Sequence, residues 1–160
     1  MNKPSYHIKK PHDINSDTMK QIYDLILSGG EVSSSMLMTN LERAYQIAYA
    51  SIDDRVVAVS VVKVPNTHYR DKVFQMSGSN ENPNDYPYEV GYVYAVPEIR
   101  GTRIIYDAFH MFNANISGVF ATVRQDNNNA IRLLQRSGYK LIGSPYKSSR
   151  GDYNLLLWVS

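Results

Sequence analysis

Oxygen and nitrogen groups must carry whatever chemistry this chain performs, because it contains no cysteine. Disulfides, thiolate metal sites and a cysteine nucleophile are excluded together. The four histidines, His7, His12, His68 and His110, fall at no ligand spacing, which argues against a metal site. One segment does suit an anionic ligand. Arg100, Gly101, Thr102 and Arg103 connect a strand expected to fail at Pro97 with a helix expected from Ile104. A loop that opens a helix presents unbonded N–H groups and the positive end of the helix dipole, both suited to a pyrophosphate. Glycine lets the backbone approach such a group closely. Thirteen tyrosines against four phenylalanines also supply hydroxyls that could line a groove, although most are expected as half-buried strand residues.

The elements that must position these groups follow from periodicity. Tyr6 to Lys9 alternates as a first strand, and Ser16 or Asp17 can cap a helix carrying Met19, Ile22, Tyr23 and Ile26, closed by Gly29 and Gly30. Ser33 to Ser35 offer caps for a short second helix with Leu37, Leu41 and Ala44. Tyr45 to Ile52 and Val56 to Val64 read as a hairpin turning at Asp53 and Asp54, its second arm apolar on both faces as a covered central strand should be. Asn66 to Pro87 is the least regular part, a long connection with one short element around Val73 to Met76, and such loops often carry specificity. Tyr69, Arg70, Tyr86 and Tyr88 within and beside it could wall an acceptor groove or simply form surface.

From Glu89 to Val96 a strand resumes. Ile104, Ile105, Ala108, Phe109 and Phe112 mark a helix reaching toward Asn115, and Val119 to Val123 a strand. Ala130, Ile131 and Leu134 mark a helix closed by Gly138, and strands near Tyr139 to Ile142 and Tyr153 to Val159 end the chain. Strand-helix-strand order predicts that the strand ending near Val96 and the one starting at Val119 are parallel neighbours. The whole chain, residues 1–160, is expected as a single α/β domain. Its formal net charge of +2 is too small and too scattered to indicate nucleic-acid binding. No apolar run approaches the roughly 20 residues of a membrane span, and Met1 to Lys10 lacks a signal-peptide core, so a cytoplasmic protein without membrane attachment is expected.

The segment Glu89-Val-Gly-Tyr-Val-Tyr-Ala-Val-Pro-Glu-Ile-Arg-Gly-Thr-Arg resembles the fourth strand and following loop of the GNAT acyltransferases. The segment from Asp126 to Tyr139 resembles that family's next motif, with Asn127, Ala130, Leu133, Gly138 and Tyr139 at matching offsets. The resemblance implies a GNAT-like acyl-CoA N-acyltransferase fold, a central mixed sheet of six to seven strands flanked by four helices. It further implies an enzyme that moves an acetyl or other short acyl group from acetyl-CoA to a primary amine on a small molecule or a protein, without a metal; a homodimer is the assembly considered.

Roles follow from the same resemblance. Glu89 stands where the family places the carboxylate that accepts the amine's proton, directly or through water; a solvated strand-end carboxylate is the alternative. The backbone at Ala95 and Val96 is placed to meet the thioester if the strand bulges. Arg100, Gly101, Thr102 and Arg103 correspond to the pyrophosphate loop, and Asn127 to a contact on the pantetheine arm that can coexist with helix capping. The chain departs from the pattern at three positions. Arg103 stands where the loop's first glycine belongs, and either contacts phosphate with its guanidinium or blocks the approach. Ile105 replaces a glycine or alanine, and Leu134 stands at the usual tyrosine acid, for which Tyr139 or Tyr146 can substitute. These departures support a second reading, a GNAT-like scaffold acting by surface contact as an inhibitor or regulator. The asparagine- and tyrosine-rich composition is reminiscent of phage-encoded proteins.

Overall fold

The computed structural model describes residues 2–113 and 115–160, with the side chains of Phe112 and Asn113 outside that description. The Phe112 position of the expected helical stripe therefore falls outside the described side chains. Among the described residues, seven strands and five α-helices follow in the order βααββαβαβαββ. Contacts group them into two compact units, Met1–Val64 with Val90–Asn115, and Pro65–Glu89 with Ile116–Ser160.

In the first unit β1 (Ser5–Lys9), β2 (Gln46–Ile52) and β3 (Arg55–Lys63) form antiparallel pairs, with Ile8 opposite Ala48 and Ala48 opposite Ser60. The hairpin turns on Asp53 and Asp54, both at positive φ (50° and 65°), the conformation that matches strand twist in a two-residue turn. Residues 56–62 of β3 are all buried, as the two-sided apolar pattern requires. The helices α1 (Ser16–Ser28), α2 (Leu37–Glu42) and α4 (Arg103–Asn113) belong to this unit. Ile22, Ile26, Leu37, Leu41, Ile47, Val59, Val61 and Ala108 fill its core. Asn15, rather than Ser16 or Asp17, caps α1, its side chain accepting from the Thr18 amide at 2.8 Å. No serine caps α2, which instead starts after Met36 in a left-handed conformation.

In the second unit α3 (Thr67–Ser77) corrects the reading of Asn66 to Pro87 as irregular connection and raises the helix count from four to five. Its polar sequence hides the periodicity, since only Arg70, Val73, Phe74 and Ser77 are buried. The Asn66 side chain caps it by accepting from the His68 amide at 2.9 Å, and Gly78 closes it at φ 70°. The strand β4 (Tyr88–Ala95) begins in this unit, pairing in parallel with β5 (Val119–Arg124) through Tyr88↔Val119 and Glu89↔Phe120. The expected parallel relation of these two strands is what the structure has. β7 (Asn154–Val159) lies antiparallel between β5 and β6 (Lys140–Lys147), and α5 (Asn128–Arg136) precedes β6.

The strand β6 carries an irregularity with a consequence for the site. Ile142 pairs with Leu157, yet Tyr146 pairs with Leu155, so two additional residues are accommodated. Gly143, at φ 68°, turns the chain there, and a Cβ on it would run into the carbonyl of Ser77 at the end of α3. Two added residues leave the alternation unchanged, so Tyr146 stays on the face of Ile142 and is set opposite Leu155. Gly143→Ala is expected to destabilise the protein by more than about 2 kcal/mol, combining left-handed strain with a backbone collision, as measured by urea unfolding. A loss below ~1 kcal/mol would mean that α3 and β6 do not approach this closely.

Candidate active site

Register places one polar group on the α3 side of the second unit. Directly paired residues share a face, so Glu89, Phe120 and Val159 lie together, and Thr122 with Leu157 follows two residues along. Tyr146, opposite Leu155, belongs to the same face and to a core with Val73, Phe74, Phe120, Leu157 and Val159. Into these apolar surroundings the sequence sets a carboxylate. Glu89 is only 6% exposed, so it is not the solvated strand end considered as the alternative. Tyr69, from the first turn of α3, donates its hydroxyl to Glu89 Oε2 at 2.8 Å. Burial first, then the charge of Glu89 and this hydrogen bond, push the Tyr69 phenol far above its ordinary range.

Of the two candidate phenols, Tyr146 is the one that senses Glu89. Burial and then the Glu89 charge push it up to about 12. For Tyr139 burial is the cause of an upward shift, and its place one residue before Lys140, which pairs with Val159, sends it to the opposite face. The Tyr146 hydroxyl is buried and, among the described residues, has no hydrogen-bond partner. Tyr146→Phe is therefore expected to stabilise the protein by about 1 kcal/mol, read from the urea midpoint, because a buried unpaired hydroxyl costs its lost hydration. Destabilisation of that size would show that the hydroxyl is satisfied.

The remaining expected site residues lie in the first unit. Inside β4, Tyr92 adopts φ 51°, a left-handed conformation unusual for a bulky residue and the mark of a bulged strand. The distortion expected near Ala95 and Val96 thus sits at Tyr92. Its hydroxyl accepts from Asn40 Nδ2 at 3.1 Å, and the Lys63 ammonium lies 4.5 Å from the ring centroid. The Val96 amide donates to Val57 O at 2.9 Å. The Ala95 carbonyl accepts from Arg100 Nε at 3.2 Å.

Arg100 to Arg103 form a tight turn ahead of α4. The Arg100 amide donates to Pro97 O and the Thr102 amide to Ile99 O. Thr102 Oγ1 donates to Ile99 O at 2.6 Å and accepts from the Ile104 amide at 3.3 Å. Among the described residues the Gly101 and Arg103 amides have no recorded partner. Gly101 is at φ 83°, and nothing lies within 4 Å of where its Cβ would stand. Arg103 runs along its own helix, with its side chain 83% exposed and 3.6 Å from Asp107, so it does not cover this opening. Ile105 packs against the first unit's core and Leu134 is buried, which gives both departures from the motif a packing role. Asn127 caps α5, its side chain accepting from the Ala130 amide at 3.2 Å. Tyr69 was legible only as a wall residue of a loop, because its partnership with Glu89 depends on α3.

No family model matches the chain, and no curated protein matches it by sequence. Solved structures do match. Arabidopsis thaliana NAA60 in complex with acetyl-CoA superposes with a TM-score of 0.70 at 13% identity, covering 98% of this chain and 99% of that one. The ribosomal-protein-S18-alanine N-acetyltransferase of Escherichia coli gives 0.65 at 11% identity over 96% and 92% of the two chains. A Desulfovibrio desulfuricans protein assigned as an acetyltransferase of the GNAT family gives 0.69 at 8% identity over 98% and 97%. With its seven-stranded mixed set of strands and five helices, the chain has the fold of the GNAT N-acetyltransferases.

Proposed function

We propose that this protein is an N-acyltransferase that moves an acetyl or similar short acyl group from acetyl-CoA to a primary amine. The observation that carries the reading is Glu89, a buried carboxylate at the head of β4 held by a tyrosine hydroxyl. A carboxylate in apolar surroundings is costly and persists where its basicity is used. Acetyl-CoA supplies an activated thioester carbonyl. Glu89 takes a proton from the attacking nitrogen as the C–N bond forms and the C–S bond breaks. The Gly101 and Arg103 amides, ahead of the α4 dipole, suit the donor's pyrophosphate, and the open space at Gly101 admits it. Asn127 supports the pantetheine arm while capping α5. The β4 backbone about the kink at Tyr92 and at Ala95 and Val96 would hold the thioester, with N–H groups there supplying hydrogen bonds to the developing oxyanion. Tyr146 keeps its proton at neutral pH and serves as a hydrogen-bond donor; Tyr139 is the other phenol proposed for the leaving thiolate. The acceptor is a small molecule or a protein amine, and the setting the cytoplasm.

The scaffold reading retains one observation in its favour, the commitment of the Arg100 and Thr102 amides to internal bonds. Thiol release from acetyl-CoA, followed with a panel of amino acids, polyamines and peptides bearing free N-termini, separates the two. Amine-dependent release that is lost in Glu89→Gln supports the transferase. Acetyl-CoA that is neither bound nor consumed supports the scaffold.

A further inference from the structure

The partner of Glu89 comes from a different element. Glu89 lies on the sheet face it shares with Thr122, and α3 delivers Tyr69 onto that face from its first turn. Tyr69 donates its hydroxyl to Glu89 Oε2 at 2.8 Å. A phenol has one proton, and here it is committed to the carboxylate oxygen.

Resting on the reading of Glu89 as the base, we propose that Tyr69 is its positioning residue, pinning Oε2 so that the carboxylate cannot rotate. The phenol does not compete for the amine's proton, since burial and the facing negative charge keep it neutral. Tyr146, which also senses Glu89, has no hydrogen-bond partner among the described residues and does not hold the carboxylate. Tyr69 is 42% exposed as a residue, while its hydroxyl reaches the buried Glu89.

The test uses the full chain with tyrosines labelled at the ring ζ carbon, and acetyl transfer to ethanolamine and to glycylglycine as probe amines. In the wild type the Tyr69 resonance should resist titration above about pH 11, and in Glu89→Gln it should titrate at lower pH. Tyr69→Phe should cut kcat about tenfold with acetyl-CoA affinity unchanged. A lesion of packing would instead lower the unfolding midpoint without this division between kcat and affinity. An unmoved Tyr69 titration in Glu89→Gln, or a Tyr69→Phe enzyme with full kcat, overturns the proposal while leaving the transferase reading intact. A wild type that acetylates neither amine and binds no acetyl-CoA removes the reaction, and the positioning role with it.

Discussion

Glu89→Gln is expected to slow acetyl transfer about 10²-fold at neutral pH while acetyl-CoA affinity changes less than about twofold. The substitution preserves volume in a site that is 6% exposed, and the amide oxygen can still accept from Tyr69, so the local packing survives. What disappears is the ability to take a proton. A base acts on the acceptor nitrogen and not on the donor, which is why turnover and donor affinity should part. Steady-state kinetics beside calorimetry check the result. Equal losses in both would place Glu89 in the support of the donor site, and unchanged turnover would remove it from the mechanism.

Gly101→Glu should weaken acetyl-CoA binding at least about tenfold, or roughly 1.4 kcal/mol, beyond whatever Gly101→Ala costs. The alanine variant measures the strain of a side chain at φ 83°, about 1–2 kcal/mol, with no collision because the space is open. The glutamate adds a negative charge next to the Gly101 and Arg103 amides, where the pyrophosphate is proposed to lie. Since the loop is exposed, the difference between the two variants should shrink as salt rises. Identical affinities for the alanine and glutamate variants would move the pyrophosphate away from this turn.

Much of the scaffold was legible because its signals are local and mutually consistent. The Asp53-Asp54 turn between the Tyr45 to Ile52 strand and the apolar run from Val56 marked the hairpin, and the order β4, α4, β5 implied the parallel pair that Tyr88↔Val119 and Glu89↔Phe120 make. The α3 helix escaped because tertiary contacts, not an apolar stripe, hold its polar sequence: buried Arg70 bonds Asp71 and reaches Asn84 at 2.8 Å. The Asn66 cap and Gly78 were the signals that could have found it. The site was less legible than the scaffold. That Glu89 is buried follows from its pairing with Phe120, and the Tyr92 kink violates the preference of its own residue type, so neither could be read from spacing. Alternation from Ile142 already puts Tyr146 on the Glu89 face; what spacing could not show is the two-residue bulge that sets it opposite Leu155.

The central claim, that this chain uses an acyl-coenzyme A donor, is tested most directly by isothermal titration of the protein with acetyl-CoA. A single saturable site with micromolar affinity in the wild type, retained in Glu89→Gln and weakened in Gly101→Glu, is the predicted result. No heat of binding up to millimolar acetyl-CoA, in a wild-type protein shown to be folded, would contradict it.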